Sequence, residues 1–150
     1  VSYAEKTTVS VGKTRGELLE LLEKHGCGSI GFTTSPTGAA VTFQAHDRWI
    51  RFRLVFAGRS SFVKTPAGQA RSSAQIDAAQ DQHARARWRQ LLLVVKAKLE
   101  AVDEGIEEFD EAFLAHVVLP DDRTVFEASA PVIEASYRDG NVRPLLGLEP

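Results

Sequence analysis

The spacing of polar and apolar residues changes several times along the chain, and each change marks a predicted element. From Thr7 to Val11 (TTVSV) polar and apolar positions alternate, which predicts a short strand. Thr14-Arg15-Gly16-Glu17 has the spacing of a capping box, so a helix of about three turns is expected to begin there. Leu18, Leu19, Leu21 and Leu22 give it an apolar face, and Gly26 stands where a helix ends. Three strands in a meander follow, at Ser29–Thr34, Ala39–Gln44 and Arg48–Phe56, separated by turns at Ser35–Gly38 and Ala45–Asp47. In the third strand Ile50, Phe52, Leu54 and Phe56 point one way, and Trp49, Arg51 and Arg53 point the other.

A long helix is predicted from Ser73 to Val102 or Ile106, because Ala84, Trp88, Leu92, Val95, Leu99, Val102 and Ile106 recur at helical spacing. Arg85, Arg89 and Lys96 fall in a stripe on one flank of that face, with Arg87 and Lys98 on the other. Leu93 and Val94 lie off the core stripe, which predicts cover by the C-terminal segment or by another subunit. Beyond Glu104 two short helices are expected around the turn Pro120-Asp121-Asp122. The second is kinked at Pro131 or restarted there with Ser129 as cap, and it stops at Gly140; Asn141–Pro150 reads as extended. The fold class is therefore α+β: strand, helix, three-stranded antiparallel meander, long helix and short C-terminal helices. Its organisation is a core over 1–106 and an acidic helical extension over 107–150, packed on the core or on a neighbour.

Between the meander and the long helix, residues 57–73 are rich in Gly, Ser and Pro and carry Arg59, Lys64 and Arg71; they read as a mobile basic lid. Charge is segregated more widely. Residues 44–98 hold eleven cations against three anions, a net of +8, and residues 99–150 hold three against thirteen, a net of −10. A strand with Trp49, Arg51 and Arg53, a loop with Arg59, Lys64 and Arg71, and a helix with Arg85, Arg89 and Lys96 together predict one groove. Cations for phosphates beside an aromatic that stacks on a base are what single-stranded nucleic acid requires.

Other chemistry is less well supplied. Gly12-Lys13-Thr14 lacks the earlier glycine of a phosphate-binding loop, because position 7 is Thr. His25, His46, His83 and His116 lack metal-ligand spacing, and Cys27, the one cysteine, has no partner for a disulfide; paired with His25 or His46 as a nucleophile it would still lack a third orienting group and an oxyanion hole. The carboxylates from Asp103 to Glu111 read as a solvated helix face rather than a magnesium site. No enzymatic activity, metal or cofactor is expected. With 43% hydrophobic and 25% charged residues, no apolar stretch of membrane-spanning length and no signal-peptide core in Val1–Lys6, the expected compartment is a reducing cytoplasm.

The order helix, three-stranded meander, long helix resembles two nucleic-acid-binding architectures, the double-stranded RNA-binding domain and the annealing core of ring-forming single-strand annealing proteins. The second resemblance implies DNA in a basic groove and head-to-tail subunits. Further along, RWRQLLLVVKAKLEAVDEGIEEFDEAFLAHVVLPDDRTV, with the closing Tyr137 and Pro144-Leu145-Leu146, resembles small proteins encoded by actinobacterial phages and prophages. That resemblance implies a phage protein acting in the host cytoplasm. The resulting expectation is a phage-encoded protein that binds or anneals single-stranded DNA in recombination or replication, as a homo-oligomer for which a ring is one form, without a membrane. The alternative is a protein-interaction module, a phage inhibitor of a host protein or a virion assembly factor, using the long apolar helix and the acidic tail.

Overall fold

A computed structural model describes residues 4–146; the readings of residues 1–3 and 147–150 lie outside the described residues. The chain is α+β. Its first helix, α1, spans Val11–Lys24 and starts three residues before the expected cap, because the Ser10 hydroxyl accepts from the Lys13 N–H at 3.1 Å. The strand expected at Thr7–Val11 is therefore absent: these residues lead into the helix, and Thr7 Oγ1 accepts from the Val9 N–H. Thr14, read as the cap, is fully buried in the second turn, and its hydroxyl has no hydrogen-bond partner. An unpaired buried hydroxyl costs about 1–3 kcal/mol. Thr14→Val, which keeps the shape and removes the polar atom, is expected to raise stability by about 1 kcal/mol, read as a higher urea midpoint.

The meander forms as β1 (Gly28–Ser35), β2 (Gly38–Ala45) and β3 (Arg48–Val55), antiparallel in the order β1-β2-β3. His46 and Asp47 form the two-residue β2–β3 turn, both with positive φ, the conformation that matches the twist of a tight hairpin. At the other end of β2, a β-carbon on Gly38 would run into the Leu54 carbonyl oxygen, so that position is held by glycine. Register aligns Phe32, Val41 and Phe52 on one face, and Gly31, Thr42 and Arg51 on the other. The first face is the core side, where Phe43, Ile50 and Leu54 are also buried.

Helix α2, Ser73–Asp103, opens with a capping box between Ser72 and Gln75 and lies along the inner face of the sheet, packed on α1. Trp88, Leu92, Val95 and Leu99 are buried as their spacing predicts, and Leu91 joins them. Ile106 does not: the helix stops before it, with Gly105 in the left-handed region, and its side chain is exposed. Leu93 and Val94 are exposed, and no described residue of the C-terminal segment covers them.

Helix α3, Phe109–Phe113, contributes Phe109, Ala112 and Phe113 to the same core cluster as α1, the sheet and α2, so this part of the acidic segment belongs to the core. A single 3-10 turn, Leu114–His116, leads to Val117 and Val118, which pair briefly with the free edge of β3: Val117 bridges Ile50, and the Val118 N–H donates to the Trp49 carbonyl at 2.8 Å. After the turn at Pro120, α4 runs from Val125 to Asp139 and ends at Gly140 in the left-handed conformation. It neither restarts nor breaks at Pro131. Pro131 is on the exposed side, and Ser129 is a buried mid-helix residue donating to the Val125 carbonyl. Among the described residues no helix is long and apolar enough to cross a membrane.

Candidate interaction surfaces

The residues expected to line one groove are divided among three places. Trp49, Arg51 and Arg53 share the outer face of β3, beside Gln44, Thr42 and Ala40 of β2 and, beyond them, Gly28, Gly31 and Thr33 of β1. Arg85, Arg89 and Lys96 are on α2, against the opposite face, so the sheet stands between the two sets. Arg59, Lys64 and Arg71 belong to the connection beyond the end of β3.

That connection is folded rather than an unstructured lid. Arg59–Phe62 form a 3-10 turn, and Lys64 bridges Ala70 across a small hairpin. The Arg71 guanidinium donates to the carbonyls of Phe62 and Lys64, while Arg59 pairs with Asp77 at 2.6 Å and donates to Gln80, tying the segment to the first turns of α2.

The same self-pairing consumes most of the other cations. Arg51 donates to the Asp122 carboxylate at 2.6 Å and to its carbonyl at 3.0 Å, leaving the Arg51 side chain only 14% exposed. Arg53 faces Glu127 at 3.7 Å, Arg48 pairs with Asp110, and Arg89 pairs with Glu17. Arg85 donates to Gln82. Lys64 and Lys96 are without a carboxylate in ion-pairing range among the described residues. Each exposed pair is worth only about 0–1 kcal/mol. The pairs made by Arg48, Arg51 and Arg53 together lay part of the acidic segment over β3 and offset the charge a phosphate would seek there.

Trp49 remains 44% exposed, beside a cleft of about 490 Å³ between β3 and the turn at Pro120. A second cleft of about 540 Å³ is bounded by Arg53, His116, Thr124, Phe126 and Glu127. His116 stacks on Phe52, with ring centroids 3.8 Å apart, and its Nδ1 lies 3.2 Å from the Arg51 carbonyl. Burial holds its pKa below 6.5, the nearby Lys98 pushes the same way, and the Arg51 carbonyl opposes both. His83 is lowered by burial and then by Arg87, and its Nε2 accepts from the Ala57 N–H at 3.0 Å, which requires the neutral ring.

Both histidines take up protons more readily in the unfolded chain, so stability is full above the unfolded value of about 6.5 and falls as pH drops from there towards the lowered folded values. The urea midpoint is expected to be lower at pH 5.5 than at pH 7.5. The difference should shrink when His83 and His116 are both replaced by Gln.

The sequence reading missed the apolar face of α4. Phe126, Ala130, Ile133 and Tyr137, spaced by 4, 3 and 4, lie along one side of the helix, and the three large ones are 60%, 42% and 88% exposed. Only Ala128 and Ser129 of this helix are buried, and it packs mainly on the Leu114–His116 turn. The spacing is visible in the sequence; the lack of cover is not. No three or more His, Cys, Asp or Glu side chains among the described residues are grouped to hold a metal ion. Comparison with protein-family models, with curated proteins and with solved structures returned no match.

Proposed function

We propose that this chain is a protein-interaction module whose working surface is the outward face of α4. The observation that carries the reading is the uncovered row Phe126, Ile133 and Tyr137 on a helix that gives little of its surface to the domain. Adjacent exposed aromatic and branched side chains supply apolar burial and anchor residues at low entropic cost, the features that concentrate binding energy at interfaces. The resemblance of Arg87–Val125 to small phage and prophage proteins implies only a phage protein in a host cell, in which setting a partner would be a host protein or a virion component. The reading calls for no catalytic step and no cofactor.

Single-stranded DNA binding has weaker support. Phosphate contacts draw their free energy from cations that release counterions, and Arg51 and Arg53 would first have to leave Asp122 and Glu127.

The two readings separate in one pair of experiments. Tagged full-length chain is used to capture protein from extract, wild type beside Tyr137→Glu, and both are titrated into a labelled single strand at several salt concentrations. A protein retained by wild type and lost by the variant, with weak oligonucleotide binding, is the expected result. Identical captured sets, or tight binding of the strand that falls steeply with salt, would overturn the proposal.

A further inference from the structure

We infer that the apolar row of α4 docks head to tail on the outward face of α2 in a second copy of this chain. The inference rests on the reading of α4 as a working surface and names its occupant. On α2, Leu93, Val94 and Ala97 are exposed together, with Arg89 and Lys96 on one flank and Arg87 and Lys98 on the other. From Gln82 to Lys98 the helix carries five cations and no carboxylate. On α4 the row from Phe126 to Tyr137 is about 16 Å long, and Glu127 and Glu134 border it on one edge. Arg89 is held by Glu17 of α1, Glu127 faces Arg53 of β3, and Arg138 follows Glu134 along the same edge of α4, so the complementary charges left beside the two apolar stripes are Lys96 on α2 and Glu134 on α4, and these set the register.

Specific side chains fit the same arrangement. Lys96 lacks a carboxylate partner among the described residues, and Glu134 has only the loose exposed pair with Arg138 at 3.7 Å, so docking can bring Lys96 and Glu134 together. Beside Leu93 a hollow of about 200 Å³ opens between α1 and α2, lined by Leu21, Leu92 and Leu93 together with Arg89, Lys96 and the Arg89 partner Glu17. It is of the size to receive one aromatic side chain of α4. The chain cannot satisfy its own stripe this way. Its α4 packs on the Leu114–His116 turn, which itself borders β3, with Glu127 facing Arg53 of the outer face, and α2 lies across the sheet. A contact between two different surfaces is heterologous, so it adds copies until a ring closes or a filament grows.

Sedimentation velocity over a concentration series tests this with wild type, Ile133→Glu and Leu93→Glu, two exposed positions on opposite sides of the proposed contact. Wild type is expected to assemble beyond one chain. Each variant alone should lose assembly by about 30-fold or more in affinity, and an equimolar mixture of the two should recover a two-chain species, because one intact α4 meets one intact α2. Lys96→Glu combined with Glu134→Lys in one chain should assemble better than either change alone. A wild type that stays monomeric at every concentration overturns self-docking, while capture of another protein sensitive to Tyr137→Glu would leave the interaction-module reading standing. Assembly of wild type with no recovery in the mixture overturns the head-to-tail arrangement.

Discussion

Replacing Trp88 with alanine is expected to cost about 3–5 kcal/mol of folding stability, the largest loss from any single change considered. Trp88 lies midway along α2 and is 1% exposed. Its ring is 6.0 Å from that of Phe32, and the Arg15 guanidinium lies within cation–π range of both rings. Removing it leaves a cavity where α1, α2 and the sheet meet, a region that cannot collapse without moving a 31-residue helix. A domain of this size holds only about 5–15 kcal/mol in all, so the urea midpoint should fall sharply and the variant should approach the edge of folding. Trp49→Ala, on the outer face, should cost less than about 1 kcal/mol by comparison. Similar losses at the two tryptophans would contradict the assignment of sheet faces.

Ile133→Glu is expected to do the reverse, leaving the fold intact and removing binding. The side chain is on the exposed stripe of α4, and glutamate is at least as good a helix former as isoleucine. Stability should therefore shift by no more than about 0.5 kcal/mol. In a complex the same position would be enclosed by apolar side chains, and a carboxylate placed there must be desolvated without a partner. Central anchor positions of interfaces lose about 2 kcal/mol or more on truncation, roughly 30-fold in affinity, and an added charge should exceed that. Circular dichroism and urea unfolding of the variant, beside its binding isotherm, separate the two effects. A variant that unfolds early would show Ile133 to be a packing residue rather than a contact residue.

The meander and α2 were legible in the sequence because their signals are local. Alternation between short turns places a strand, and a 3–4 recurrence from Ala84 to Val102 places a helix; the Ser72–Gln75 capping box that starts it came only with the structure. The first strand was misread because TTVSV alternates without a neighbouring strand to pair with, while Ser10 offers the next turn a cap. The pairing of charges was illegible for a different reason. Arg51 and Asp122 are 71 positions apart, and only the path through α2, α3 and the β3 edge brings them together. The connection over 57–73 looked unstructured by composition, yet its arginines donate to carbonyls and to α2, contacts that no propensity encodes. The stripe on α4 had the opposite fate: its spacing is written in the sequence, but whether such a stripe is core or surface depends on what the fold lays over it.

If α4 is a working surface, its outward face is covered by protein in the cell. A photocrosslinking phenylalanine analogue in place of Tyr137, the most exposed aromatic of the row, tests this in the full chain inside its native cells, with the same analogue at Trp49 as a comparison. A light-dependent protein adduct is expected at position 137 and should disappear in the Ile133→Glu background, with a second copy of the chain or another protein as the attached species. No adduct at 137, alongside a nucleic-acid adduct at 49, would contradict it and return the outer face of β3 to the centre of the function.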